Sequence, residues 1–304
     1  MARDAGTLEK ASPLRREGAG AARGPRRAGW RRFRGNRMAV ASAVFLVGMY
    51  VVAAAGPRIS PYGPNAVDIL NTNAPPSPAH WLGTDENGRD VLARLIAGAA
   101  TTMTVGLIAM IIAVGIGAAV GSLAGYLGGW ADTVLMRLTD GMLAIPYIFL
   151  LLVIVAVFGA SFRTIIVAIG AISWMVVARI VRAEVLRYRG LDFVHAAQAL
   201  GATPARILTR HIIPQTVPSL LVAATFGVAN AILFESALSY FGLGIQPPQA
   251  SWGNMLSNAQ AYVWENPRLP IYPGFLILCT VLAYNFLGDA LRDALDPRYR
   301  ESNV

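Results

Sequence analysis

Residues Asp192–Gln215 read DFVHAAQALGATPARILTRHIIPQ and stand between two long apolar stretches. The segment is both polar and helix-forming. Asp192 suits the cap of a short helix over Phe193–Leu200, which sets Phe193, Val194, Ala197 and Leu200 on one face. Gly201 suits the position just past a helix end. Thr203-Pro204 then restarts the helix, threonine as cap and proline at the first helical position. The second helix is expected to run from Ala205 to about Ile213, where Pro214 breaks it. The stretch therefore reads as helix, elbow, helix, with Ala196 and Ala197 offering a smooth surface that can dock in a partner's groove.

What flanks the elbow sets the fold class. The chain has 304 residues, 55% hydrophobic and only 14% charged. A bilayer core about 30 Å thick needs roughly 20 apolar residues in a helix. Six runs approach that length: Met38–Ala55, Thr102–Leu123, Met142–Phe158, Thr164–Val181, Val217–Phe241 and Ile271–Leu287. They are apolar all round, whereas helices of a soluble core carry a polar face. An all-α integral membrane protein with six transmembrane helices is expected. Arg31-Arg32 before a run ending Ala53-Ala54-Ala55 has the look of a cleaved leader. The run is long enough to cross, however, and five more follow, so it is read as the first span.

Most of the net charge of +9 lies in residues 1–37, where ten arginines and Lys10 face only Asp4, Glu9 and Glu17. This tail, poor in order-forming residues, is expected to be disordered. Because it abuts a span, it is read as an anchor to anionic lipid and not as a nucleic-acid arm. With the N-terminus inside, alternation through six spans places 21 basic residues inside and only Arg58, Arg89, Arg94, Arg163 and Arg268 outside. That imbalance fits the positive-inside rule, so both termini are expected in the cytoplasm. The expected organisation is a basic tail (1–37), a first helix with its external loop (38–98), a transmembrane domain (99–289) containing the loop 190–214, and a C-terminal tail (290–304).

Outside the membrane, Asp85, Glu86, Arg89 and Asp90 cluster before the second span, with Thr84 or Asp85 able to cap a short helix. A second external loop carries Trp252 and Trp264, residues that commonly sit at headgroup level. Gly117, Gly121 and Gly125 form a small-residue ladder that lets helix backbones approach closely. Ionisable groups at membrane depth are functional candidates. Glu235, with Asn230 nearby, is the candidate pathway or gate contact; the plainer alternative, which we favour, is a buried structural partner for a backbone group or a basic residue in the neighbouring subunit. Arg137 and Asp140, and Asp289, Arg292 and Asp293, suit interfacial salt bridges. Cys279 is alone, so no intrachain disulfide is possible. His80, His195 and His211 lie too far apart in topology to make a metal set. The only lysine is Lys10, so no Walker A loop exists here and the chain is not a P-loop ATPase.

The elbow resembles the coupling loop of ABC importer permeases: Glu-Ala-Ala, three residues, Gly, nine residues, Ile-x-Leu-Pro. This chain has His195-Ala196-Ala197, three residues, Gly201, nine residues, His211-Ile212-Ile213-Pro214. His195 stands where the family has glutamate and Ile213 where it has leucine. Further stretches, WLGTDENGRDVLARLIAGA, ILFESALSYFGLG, SWGNML and YNFLGDALRDALDPR, are similar to the dipeptide/oligopeptide/nickel group, specifically its second, C-type permease. The resemblance runs from about Asn36 to Tyr299. It implies the type I importer (MetI-like) permease fold in a bacterial inner membrane. It also implies a pathway shared with a homologous permease, one or two cytoplasmic ATPase subunits holding ATP and Mg, and an extracytoplasmic binding protein. No cofactor is expected on this chain, and no nucleic-acid partner. His195, Ala196, Ala197, Gly201 and Pro214 carry over as coupling residues; none performs bond chemistry. Short peptides are the expected cargo, with nickel or glutathione-like compounds as alternatives. An ion-gradient-driven carrier is the competing class, but it lacks support from inverted repeats or membrane carboxylate chains. An intramembrane enzyme lacks any Gly-x-Ser-x-Gly or His-Glu-x-x-His pattern.

Overall fold

The computed structural model describes residues 32–295. Most of the basic tail, and the end of the C-terminal one, lie outside the described residues; residues 32–35, inside the expected disorder, are helical. Among the described residues the helices are α1 (Arg37–Ile59), α2 (Val91–Leu127), α3 (Gly129–Leu143), α4 (Tyr147–Phe158) and α5 (Phe162–Arg189). They continue with α6 (Asp192–Ala199), α7 (Pro204–Tyr240), α8 (Trp252–Ala259) and α9 (Arg268–Leu295). Extended structure is confined, among these residues, to two isolated bridges, Val67 with Arg89 and Thr84 with Asp90.

The starts follow local chemistry. Asn36, Asp90, Ser161 and Ser251 each accept a hydrogen bond from the backbone N–H three residues on. The cap of α2 is thus Asp90, and no separate short helix is capped by Thr84 or Asp85. Asp85 instead accepts from the N–H groups of Asn87 and Arg89 and pairs with the Arg89 guanidinium at 2.7 Å. That tight acidic turn is what allows the helix to begin at Val91, well before the apolar run.

The glycine ladder organises the centre. A Cβ on Gly117, Gly121 or Gly125 would lie within 3 Å of the carbonyls of Trp174, Ala178 or Arg182, respectively. α2 and α5 therefore touch backbone to backbone, one turn after another, in the same residue order. That order makes them parallel. Two parallel neighbours require the chain between them to cross back, and only α3 with α4 does so.

This return is the main departure from expectation. Met142–Phe158 is not one straight span: α3 and α4 meet at a bend of 86°. Pro146 is the cause, because it lacks an N–H and disfavours helical geometry at Ile145. α3 lies against the end of α5, where Arg182 holds Asp132 and Arg179 holds Asp140. α4 then runs along α5, with the Tyr147 hydroxyl 2.7 Å from Ser173 Oγ. Counting the bent pair once gives six crossings.

α7 is antiparallel to α2, since Met110 meets Gly227 while Thr102 meets Glu235. α1 and α9 close the bundle, with their Tyr50 and Tyr284 hydroxyls 2.6 Å apart. With six crossings, both described chain ends lie on the same side as the Asp192–Gln215 elbow. α9 continues helically through Asp289, Arg292 and Asp293, and the described ion pairs include none of the three. Trp252 does not face outward but is fully buried, its indole N–H donating to the Leu95 carbonyl at 3.1 Å. Gly98 leaves room for it. Trp264 is the exposed one, at 94%.

Candidate functional site

The elbow has the form that its residues suggested, with two differences. α6 starts at Asp192, but the cap position is Leu191 and no side chain bonds the first turn. Gly201 takes φ +80°, and its N–H donates to Gln198 O at 2.9 Å. Thr203 accepts from Arg206 N and Pro204 opens the next helix. Val194, Ile207 and Ile212 are buried and hold the elbow to the bundle, while His195, Ala196 and Leu200 are exposed. Ala197 is half-buried.

The second difference is larger. Pro214 does not break the helix. Residues Ile207–Ile212 form a π-helical stretch, and Ile213 N–H donates to Leu208 O, five residues back. Shifting to that pattern accommodates a proline that can neither donate nor tolerate the usual i−4 carbonyl. The outcome is one continuous helix of 37 residues, Pro204–Tyr240, running from the elbow into the bundle.

The face of α7 that follows from this continuity lines a cavity of about 830 Å³. Gln215, Ser219, Val222, Phe226, Asn230 and Phe234 succeed one another along it. α5, from Ser173 to Arg187, also lines it, with Tyr147 of α4 and Arg292 of α9. Tyr147 stacks on Phe234 at 4.1 Å between ring centroids. Asn230 is thus a cavity residue.

Glu235 is not. It is fully buried on the other face of α7, where it accepts from Thr102 Oγ1 at 3.0 Å and Ser239 Oγ at 2.8 Å. Ser239 Oγ in turn accepts from Ile245 N, and Thr102 Oγ1 from Trp252 N. This network ties α2, α7 and the loop before α8 into one unit. Its partners are in the same chain, not in a neighbouring subunit. The fold separates the two residues that sequence proximity had grouped.

The acid that lies in the cavity is Glu184 on α5, which sequence reasoning missed. Its Oε1 accepts from Ser219 Oγ at 2.8 Å, linking α5 to α7. Its Oε2 is buried with no hydrogen-bond partner, and Arg187 Nη1 is 3.7 Å away. A signal existed: Glu184 is the one acid among five basic residues between Arg179 and Arg206 that follow an apolar span, apart from Asp192 on the elbow.

Residues 117–301 match the family described as "Binding-protein-dependent transport system inner membrane component". Residues 24–76 match the "N-terminal TM domain of oligopeptide transport permease C". The glutathione transport system permease protein GsiD of Shigella flexneri serotype 5b is 42% identical over 272 residues, 89% of this chain and 90% of that one. A protein of Brucella suis biovar 1 named as a candidate peptide permease is 39% identical over 292 residues, 95% of this chain and 97% of that one. A solved structure of the MetNI methionine ABC transporter, described as inward facing, has a chain similar at TM-score 0.55 and 21% identity, covering 66% of this chain and 96% of that one. That last likeness concerns the fold.

Proposed function

The chain belongs to the binding-protein-dependent transport inner membrane components and is a multi-pass permease subunit of an ABC importer, and on that premise we propose that its cargo is short peptides, glutathione among them. The chain pairs with a homologous permease to enclose the pathway. Of one or two cytoplasmic ATPase subunits, carrying ATP and Mg, one docks on the exposed surface of His195, Ala196 and Leu200. An extracytoplasmic binding protein delivers cargo on the opposite side, where the Asp85–Arg89 turn and Trp264 lie.

One observation carries the coupling: the second arm of the elbow and the cavity wall are the same helix. Force applied to α6 passes through Gly201 and Thr203 into Pro204–Tyr240, which has no break before Asn230. A rigid helix converts a push on the elbow into rotation or tilt of the wall, and Glu184–Ser219 is the contact that such a motion remakes. The network about Glu235 keeps the opposite face of α7 anchored while this occurs. His195 offers an imidazole where the family has a carboxylate, so the partner groove differs in charge at that point.

Reconstitution tests the reading. The tagged native complex, placed in liposomes with its binding protein, should accumulate trialanine and glutathione only when ATP is supplied on the ATPase side. Uptake by this chain alone, driven by a proton or sodium gradient, would make it a secondary carrier.

A further inference from the structure

We propose that Glu184, with Arg187 and Arg292 in the same cavity, forms a docking site for the charged ends of a short peptide, the carboxylate taking the α-ammonium group and the guanidiniums facing the terminal carboxylate. The inference rests on the peptide reading above and specifies what part of a peptide this chain recognises.

Glu184 lines the cavity, and its two oxygens differ. The Ser219 hydroxyl orients Oε1 at 2.8 Å, while Oε2, closed off from solvent, accepts no hydrogen bond and has Arg187 Nη1 at 3.7 Å as its ion-pair partner. A buried acceptor left without a donor is costly, and an ionisable group in a membrane helix marks a pathway by default. Arg187 does not meet the need, its Nη1 being 3.7 Å away and its guanidinium lying over the Tyr188 ring. An ammonium group offers three donors in a compact head, which suits a carboxylate oxygen that accepts no hydrogen bond.

Of the two cations, Arg292 is not committed to an acid. Among the described residues no carboxylate lies within ion-pair distance of Arg292, whose guanidinium rests over the Phe226 ring at 5.5 Å. The same cavity is lined by the apolar Val176, Ile180, Val222, Ala223 and Phe226. The volume, about 830 Å³, falls within the range of about 300–1,000 Å³ typical of small-molecule sites. A polar contact rejects analogues that lack its partner group, whereas an apolar wall discriminates poorly among side chains. The site therefore reads the two ends of a peptide and tolerates what lies between them.

The test uses the native complex purified through a tag on this chain, without its binding protein. Weak binding of trialanine, N-acetyl-trialanine and trialanine amide is measured by saturation-transfer NMR. Trialanine should bind at least about tenfold more tightly than the acetylated peptide, since charge-assisted hydrogen bonds are the strong ones. Glu184→Gln should remove that preference and leave the acetylated peptide unaffected. Arg292→Gln, at an exposed position, should remove the preference for trialanine over its amide and so tests the site even where Glu184→Gln fails to insert. Equal binding of the three peptides by the native complex would overturn the proposal, as would unchanged preferences in both variants. Loss of the second permease on Glu184→Gln would assign that carboxylate to the subunit interface instead. Trialanine uptake by the ATP-loaded transporter, run in parallel, separates the two levels. With no uptake the peptide reading itself fails; with uptake but no end preference only the docking site does.

Discussion

Arg182 holds Asp132 by two parallel hydrogen bonds, Nε to Oδ1 at 2.5 Å and Nη2 to Oδ2 at 2.6 Å. The pair joins α5 to α3, fifty residues earlier in the chain, and with Arg179–Asp140 it pins the helix that precedes the 86° bend. Bidentate geometry of this kind is stronger than an ordinary surface pair. It holds in place a helix whose exposed apolar residues, Trp130, Val134 and Leu138, recur every fourth position.

Asp132→Ala should loosen that helix at a cost of about 1.5–3 kcal/mol before screening, the range for hydrogen bonds to charged groups, with less realised because Arg182 is 34% exposed. The thermal midpoint of the purified chain should fall, and the exchange Asp132→Arg with Arg182→Asp should recover part of it. No fall in the single variant would show that α3 is held by packing alone.

The glycine ladder predicts a contrast within one helix. Gly121→Ala forces a methyl to 2.4 Å from the Ala178 carbonyl, and over-packing of this kind costs about 1–3 kcal/mol. Gly115→Ala, with nothing within 4 Å, should be neutral or slightly stabilising, since alanine is favoured over glycine in a helix interior by about 1 kcal/mol. Thermal midpoints of the two variants in the same detergent check this. Equal effects would deny the close approach of α2 and α5.

Glu235→Leu should behave as a folding defect. It leaves the Thr102 and Ser239 hydroxyls without their shared acceptor, at about 1–3 kcal/mol for each buried group left unpaired. Yield and midpoint should drop while the ratio of uptake between different peptides stays constant. A changed cargo ratio at normal yield would return Glu235 to the pathway.

Gly201→Pro should insert and assemble yet lose at least about tenfold in peptide moved per ATP hydrolysed. Proline is confined to a negative φ near −65°, whereas this position needs +80° and an N–H for Gln198. A Cβ there meets nothing within 4 Å, so the effect is one of backbone direction and not of crowding. Normal coupling in this variant would remove the elbow from the transmission path.

Much of the fold was legible because the bilayer requires long apolar helices and the backbone signals their ends. The six runs, the Gly201 elbow and the Thr203-Pro204 restart all rest on such local rules. The errors have a common physical origin. Pro146 was hidden inside an apolar run, and apolar continuity alone does not report a bend. Pro214 was read as a break because the π-helical turn that absorbs it requires the buried seats of Ile207 and Ile212. Trp252 was assigned to the interface because its composition fits there, while its burial depends on Gly98 of a helix 154 positions earlier.

Glu184 and Glu235 show the division most plainly. The sequence by itself determined that Glu235 lies on a membrane helix, that a docking elbow precedes α7, and that no nucleotide loop is present. Local hydrophobicity, capping and proline chemistry suffice for those conclusions. Only the tertiary structure decided which acid faces the cavity and which is locked into the core. Helices that are apolar all round carry no stripe to mark their inward side, so rotation about each axis is set by neighbours: the glycine contacts that seat α5, and the Thr102–Glu235 bond that turns α7.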